Sequence, residues 1–99
     1  MNHAKISPQI LERLAASGWI YDEDEITKKL VFQSFADAFA FMAACMPEIE
    51  RLNHHPEWSN VYNKVTVSLT THDAGGVTAK DVELAEIMDR IAAKFLSKA

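Results

Sequence analysis

The stretch from Phe35 to Met46 constrains the fold of this 99-residue chain more than any other, because its residues are apolar on nearly every side of a helix. Ser34, followed by Asp37, matches the pattern that caps the start of a helix. One face of the predicted helix carries five large apolar side chains: Phe35, Phe39, Met42, Met46 and Ile49. A helix of this kind must be covered on more than one side. We therefore expect one side to pack on a sheet and another to meet a neighbouring helix or a second subunit.

The other predicted elements fall on both sides of this helix in the chain. We predict, in order, a helix from Ser7-Pro8 to Gly18, strands at 19–21 and 26–33 joined by an acidic turn, the long helix to about Leu52, β-structure at 58–71 and a last helix capped by Thr78. Pro47 should bend or break the long helix. Helices on one face of an antiparallel sheet satisfy this order. The sequence therefore predicts one α+β two-layer domain over residues 1–99.

Composition narrows the classes of function. The net charge is −4 and the lysines and arginines are scattered, so we expect no direct binding of nucleic acid. The single cysteine, Cys45, excludes an internal disulfide and lies among apolar residues that favour a buried thiol. Residues 1–5 lack the apolar core of a signal peptide, and the longest apolar run has nine residues. We therefore expect a cytoplasmic protein with no membrane partner.

A histidine-rich segment is the strongest candidate site. Three of the four histidines, His54, His55 and His72, lie within the 23 residues that end at His72. An unperturbed imidazole can give and take a proton near neutral pH, so the three suggest a proton-transfer or ligand-binding site. Surface or capping histidines are the alternative. The segment lacks the HxH, HExxH and CxxC spacings that accompany many metal sites, and we expect no metal.

Three further residues are candidates for this site, each with a structural alternative. Glu50 lies one helical turn before His54, which could place its carboxylate beside that imidazole, or it could be a solvated helix-end residue. Asp81 is three residues after Thr78 and is first of all its capping partner. Trp58 is either a core anchor or a flat wall beside a planar ligand. From the residues alone, the prediction stops at a small oligomeric α+β domain with a histidine-lined pocket.

The same segment carries a family resemblance. The pattern E-x-x-x-H-H-P-x-W from Glu50 to Trp58 is followed by Asn60-Val61-Tyr62-Asn63-Lys64-Val65 and closes with Leu69-Thr70-Thr71-His72. This combination strongly resembles the pterin-4a-carbinolamine dehydratase family, and the similarity runs from about Ile6 to Phe95. The resemblance implies an α-β-β-α-β-β-α order, with a four-stranded antiparallel sheet and helices packed on one face. It also implies a hairpin turning near Asn63-Lys64, and assembly as a dimer or tetramer through helices.

The resemblance also implies a reaction and a set of roles. The reaction is dehydration of 4a-hydroxytetrahydropterin to quinonoid dihydropterin, with the pterin as substrate and no separate cofactor. By position, His54 and His72 resemble the general acid and base, and His55 the residue that holds the pterin. Glu50 resembles an orienting or ring-binding carboxylate, Asp81 a support for the site and Trp58 a flank of the pocket. Since some relatives serve as dimerisation partners of a transcription factor, a non-catalytic module with a protein partner is the alternative.

Overall fold

The helices and strands follow the order that the family resemblance implies. The computed structural model describes residues 6–22 and 24–96, and the predictions for residues 1–5 and for Glu23 in the acidic turn lie outside them. Within the described residues the elements are α1 (Pro8–Ala16), β1 (Ile20–Asp22), β2 (Glu25–Val31), α2 (Phe35–Leu52), β3 (Glu57–Val61), β4 (Lys64–Leu69) and α3 (Ala79–Leu96). A single 3₁₀ turn, His72–Ala74, lies between β4 and α3.

The four strands form one antiparallel sheet in the order β1-β2-β4-β3. Alternation along β4 buries Val65, Val67 and Leu69, while Lys64, Thr66 and Ser68 point to the opposite face. The buried face carries Ile26 and Leu30 of β2, which lie opposite Leu69 and Val65. These residues and the helices share one hydrophobic core. The α+β two-layer fold with helices on one face is therefore confirmed.

The helix α2 buries only part of the stripe that stands out in its sequence. The core-facing residues are Ala38, Phe41, Cys45 and Ile49, at helical spacing. Phe35, Phe39 and Met46 are 49%, 59% and 56% exposed. Small residues at positions 38 and 45 let the helix approach the sheet closely, and Phe41 packs against Phe32 with ring centroids 5.1 Å apart. A row of large apolar side chains is therefore left on the surface of the single chain.

The structure corrects the expected break at Pro47 and locates the turn of the last hairpin. The helix α2 runs unbroken through Pro47. Because proline has no N–H, the carbonyl oxygen of Ala43 loses its usual partner. Both Ala43 and Pro47 are exposed. The β3–β4 hairpin turns at Tyr62-Asn63, near Asn63-Lys64 as the family resemblance implies. The turn is held there because the Asn63 amide donates to the Phe32 carbonyl oxygen and the Phe32 N–H donates to the Asn63 carbonyl oxygen.

The helix α3 is joined to the start of the sheet by a polar cluster. Asp89 accepts a hydrogen bond from Trp19 Nε1 at 2.9 Å and pairs with Lys28 Nζ at 2.7 Å. The Trp19 N–H donates to the Leu14 carbonyl oxygen at 3.0 Å at the end of α1, and β1 begins at Ile20 instead of Trp19. Among the described residues, no helix combines the length and the apolar character that crossing a membrane requires.

Candidate active site

The first turn of α3 positions a buried carboxylate. As predicted, Thr78 and Asp81 form a reciprocal cap: the Asp81 N–H donates to the Thr78 carbonyl oxygen at 3.0 Å, and the Thr78 N–H donates to Asp81 Oδ2 at 2.8 Å. The Thr78 hydroxyl accepts from the Lys80 N–H at 3.3 Å. Asp81 is fully buried, so its carboxylate points into the protein, where an unpaired charge would be costly.

His54 approaches this carboxylate from the end of α2. Asn53 ends the helix in the left-handed conformation, with φ of 51°, and the following N–H, that of His54, returns to the Ile49 carbonyl oxygen at 3.3 Å. This reversal turns the imidazole of His54 inward, where only 10% of the side chain is exposed. Its Nε2 atom lies 2.6 Å from Asp81 Oδ1. The helix ending thus converts one histidine of the adjacent pair into a buried partner of Asp81.

The contacts of Asp81 fix which nitrogen of His54 carries a proton. Besides His54, the carboxylate receives the Thr78 N–H and the Thr71 hydroxyl, the latter at 2.7 Å from Oδ2. An ionised carboxylate only accepts hydrogen bonds, so the nitrogen facing it must donate. Facing an ionised Asp81, His54 donates from Nε2. In the neutral ring, Nδ1 is the nitrogen left to accept a proton.

A short loop holds His72, which directly follows Thr71, the residue whose hydroxyl contacts Asp81. The structure places it at the start of the 3₁₀ turn, beyond the end of β4 at Leu69, rather than at the strand end. Thr71 pairs with Gly76 as an isolated bridge, and the Gly75 N–H donates to the His72 carbonyl oxygen at 3.0 Å, with Gly75 in the left-handed region. The imidazole is exposed, and its Nε2 atom lies 3.3 Å from Glu57 Oε2.

His55 points away from the buried cluster. Its Nε2 atom lies 3.0 Å from Glu50 Oε2, and both side chains are more than half exposed. The expectation that Glu50 lies beside His54 is therefore corrected: its partner is His55, because the left-handed residue at position 53 turns His54 inward. Trp58 stands opposite Val67 on the helix-facing side of the sheet and packs partly against the core, as its structural alternative predicts.

A pocket of about 260 Å³ opens next to His72. It is lined by Asp24, Glu25, Glu57, Thr70, His72, Gly75 and Gly76. Glu25 and Glu57 both lie on the sheet face away from the helices, opposite or near Ser68, so the pocket sits where one end of that face meets the 3₁₀ turn. Three acidic residues, Asp24, Glu25 and Glu57, are part of its wall. The pocket suits a small ligand whose edge donates hydrogen bonds.

Several residues of this corner were not found by sequence reasoning. Thr71 contacts Asp81, and Glu57 contacts His72, yet neither was a candidate. The only available signal was their position next to the histidine motifs.

Among residues 6–22 and 24–96, no group of three or more His, Cys, Asp or Glu side chains is arranged to hold a metal ion. Cys45 is buried as predicted, and burial together with the nearby Glu48 carboxylate raises its pKa to about 12, so it is not a reactive nucleophile.

Comparison with known proteins matches the chain to one family. The family model for pterin 4 alpha carbinolamine dehydratase matches residues 3–91. A provisionally named pterin-4-alpha-carbinolamine dehydratase of Sinorhizobium medicae is 57% identical over 77 residues, covering 76% of this chain and 73% of that protein. A protein of Opitutus terrae with the same provisional name is 54% identical over 84 residues, covering 84% of each chain.

Solved structures share the fold. A transcriptional coactivator/pterin dehydratase from Brucella melitensis superposes with a TM-score of 0.78 at 36% identity, covering 90% of this chain and 99% of that one. A pterin dehydratase-like protein identified as a RuBisCO assembly factor in the alpha-carboxysome gives a TM-score of 0.62 at 21% identity, covering 75% of this chain and 86% of that one, and shows the fold alone. From its sequence match, its relatives and its fold, this chain belongs to the pterin-4-alpha-carbinolamine dehydratase family.

Proposed function

We propose that this protein dehydrates 4a-hydroxytetrahydropterin to quinonoid dihydropterin and water, and so recycles the pterin cofactor of aromatic amino-acid hydroxylases. Family membership supports the reaction class. The corner formed by His54, Asp81, Thr71 and His72 supports the mechanism, because the His54 imidazole contacts Asp81 and the Thr71 hydroxyl, which belongs to the residue directly before His72, contacts the same carboxylate.

The reaction needs two proton transfers. Hydroxide is a poor leaving group, so an acid protonates the C4a oxygen as the C4a–O bond breaks. The lone pair of N5 forms the C4a=N5 bond, water departs, and a base takes the proton from N5. No electrons are gained or lost overall. Each positioned proton transfer is worth about 10²–10⁴-fold in rate.

His54 and His72 are the groups that we assign to these transfers. The Asp81 carboxylate is 2.6 Å from His54 Nε2, so it orients the ring and stabilises the positive charge that appears when Nδ1 takes up a proton. This favours His54 as the acceptor. His72 is exposed and borders the pocket of about 260 Å³, which favours it as the donor to the leaving hydroxyl.

His55 and Glu50 are assigned to binding. They form a pair at 3.0 Å on the surface beside the buried His54, so their polar atoms can turn to a ligand without loss of a buried contact. Trp58 is assigned to the pocket flank only through the family resemblance. The mechanism requires no metal, nucleotide or covalent intermediate, and the pterin is the substrate rather than a bound cofactor.

The observation that carries the proposal is the buried contact between His54 and Asp81. The test is to supply the purified protein with 4a-hydroxytetrahydropterin made by a hydroxylase and to follow its decay optically. We expect the wild type to accelerate the decay, and His54→Ala or His72→Ala each to slow the catalysed rate by about 10-fold or more. Wild-type rates in both variants would remove these residues from the mechanism.

The exposed side of α2 supports a second proposal, that the chain forms a homodimer or homotetramer. Phe35 and Phe39 are about half exposed and lie against each other with ring centroids 5.9 Å apart. Burying a large apolar side chain is worth about 1.5–3 kcal/mol, so leaving several in water is unfavourable. The same surface suits a protein partner in the alternative function, a non-catalytic interaction module.

A further inference from the structure

The carboxylate that holds His54 is itself held by a directed chain of hydrogen bonds. Thr71 Oγ1 lies 2.7 Å from Asp81 Oδ2 and 2.8 Å from Thr78 Oγ1. A hydroxyl has one proton to donate, and an ionised carboxylate can only accept. The Thr71 proton therefore goes to Asp81, and Thr71 accepts the proton of the Thr78 hydroxyl. Thr78 in turn accepts from the Lys80 N–H at 3.3 Å.

Every donor in this chain points toward Asp81. The sequence of donors runs from the Lys80 N–H through the hydroxyls of Thr78 and Thr71 to Oδ2. Hydrogen bonds aligned in one direction polarise one another and are stronger in a buried site than in water. Asp81 is fully buried, and within the described residues no buried side-chain polar atom lacks a partner. The carboxylate is thus held in one orientation, with Oδ1 left for His54.

Thr71 has a second connection to the site. It directly precedes His72, and its backbone forms the bridge to Gly76 that closes the loop: the Thr71 N–H donates to the Gly76 carbonyl oxygen at 2.9 Å. Thr71 therefore contacts Asp81, the partner of His54, through its hydroxyl, and it is joined to His72 by the backbone. Its hydroxyl bond to Asp81 fixes the position of the 71–76 loop relative to the first turn of α3.

From these contacts we propose that Thr71 is a positioning residue, whose hydroxyl, through Asp81, holds His54 with its proton on Nε2 and sets the placement of His54 relative to His72. This proposal rests on the dehydratase function for its effect on rate, but the hydrogen-bond chain itself is independent of that function. Both hydrogen bonds of the hydroxyl are to protein groups, Asp81 and Thr78. The hydroxyl acts by restricting the carboxylate and the loop.

The first test is spectroscopic. In ¹⁵N-labelled protein, long-range ¹H–¹⁵N spectra should show His54 protonated at Nε2, with that proton protected from exchange with solvent. Thr71→Val removes the hydroxyl and keeps the shape, and we expect the Nε2 proton to exchange about fivefold faster, as loss of one hydrogen bond implies. Thr71→Ser should restore the protection. Thr66→Val, on the outer face of β4, is the matched control and should leave His54 unchanged.

The second test is kinetic. Thr71→Val should lower kcat about fivefold or more with KM changed less than about twofold, because the hydroxyl positions a catalytic group without binding substrate. In an Asp81→Asn background, adding Thr71→Val should lower kcat by less than about twofold, since its route through the carboxylate is already lost. If the double variant does not fold, the spectra of the single variants decide.

The outcomes separate this proposal from the proposed function. If the wild type is inactive, but its Nε2 proton is protected and becomes exchangeable in Thr71→Val, the dehydratase function is refuted and the hydrogen-bond chain stands. An active wild type in which Thr71→Val changes neither the spectrum nor kcat would refute the role of Thr71 alone. A changed spectrum with unchanged kcat would equally overturn it as a positioning residue for catalysis.

Discussion

Replacing Asp81 with asparagine tests the buried corner most completely. The substitution keeps the shape of the side chain, removes its charge and replaces one acceptor oxygen with an amide that donates. The amide oxygen can still accept from Thr71 and Thr78. The amide nitrogen then faces His54 Nε2, which in the wild type donates to Asp81 at 2.6 Å. Two donors cannot share one hydrogen bond. We therefore expect His54 to move its proton to Nδ1, so that Nε2 can accept from the new amide.

The magnitude of the change in activity follows from this tautomer. With Nδ1 protonated, the neutral ring no longer accepts a proton at the atom assigned to that task. In a Ser-His-Asp triad the corresponding aspartate-to-asparagine change preserves the geometry and lowers kcat about 10⁴-fold. Since His54 supplies one of two proton transfers here, we expect a loss of about 10- to 10³-fold in kcat.

The magnitude of the change in stability follows from the contacts. Asp81 receives hydrogen bonds from His54, Thr71 and Thr78 at 2.6, 2.7 and 2.8 Å, and all three become weaker when the acceptor is neutral or replaced. We estimate a loss of about 2–4 kcal/mol. For a domain of this length each kcal/mol lowers Tm by about 4–8 °C, so the variant should stay folded at 25 °C with a clearly reduced Tm.

Asp89→Asn is the matched control. Asp89 lies two turns further along α3. It accepts hydrogen bonds from the Lys28 ammonium group and the Trp19 indole N–H, and these bonds are not part of the histidine site. It should lose about 1–2 kcal/mol of stability with kcat unchanged. The assay is decay of 4a-hydroxytetrahydropterin at fixed protein concentration, with thermal unfolding in parallel. Wild-type kcat in folded Asp81→Asn, or an equal loss in Asp89→Asn, would refute the reasoning.

The remaining predictions concern assembly, the thiol and metals. Light scattering should give the mass of a dimer or tetramer rather than 11.1 kDa. Phe39→Ser should reduce this mass, and Val31→Ser, at an exposed position on the sheet, should leave it unchanged. A wild-type mass of one chain would refute the assembly. Because the pKa of Cys45 is raised from 9.0 to about 12, its protonated thiol contributes stability that is complete below pH 9 and is lost as the pH rises toward 12. The free energy of unfolding should therefore fall more steeply above pH 9 in the wild type than in Cys45→Ala, and parallel curves would contradict this. Activity should be unchanged by EDTA, and a loss that zinc or iron restores would contradict the metal-free mechanism.

The elements that local sequence determines were predicted well. The cap formed by Thr78 and Asp81 and the alternation of Val65, Val67 and Leu69 are set by neighbouring residues, and the structure confirms both. The family pattern split the last β region into a hairpin and gave its turn, where the residue pattern showed only that the region was long enough for one. The order of elements therefore follows from capping, periodicity and resemblance together.

The contacts that depend on the packing of distant segments were not predicted. Helical spacing suggested Glu50 beside His54, but the left-handed conformation of Asn53 sends His54 inward and leaves Glu50 to His55. The contact of Thr71 with Asp81 joins a loop to a helix ten residues later, and no periodicity reports the path of that loop.

The choice of buried face on α2 shows the same limit. The helix is apolar all round, so its sequence permits several faces, and the shape of the sheet surface selects the one with Ala38 and Cys45. That one apolar side needs a partner stays a prediction; the structure shows that Phe35, Phe39 and Met46 are left exposed. Sequence reasoning could not say which residues would be left for that partner, because the answer depends on how closely helix and sheet approach.

The measurement that tests the central claim most directly is the decay of 4a-hydroxytetrahydropterin with the double variant His54→Ala/His72→Ala beside the wild type. Both imidazoles are removed, so both assigned proton transfers are lost while the fold and the pair formed by His55 and Glu50 remain. We predict that the wild type accelerates the decay and that the folded double variant gives the rate of the uncatalysed reaction. A double variant that retains the wild-type acceleration would contradict the account.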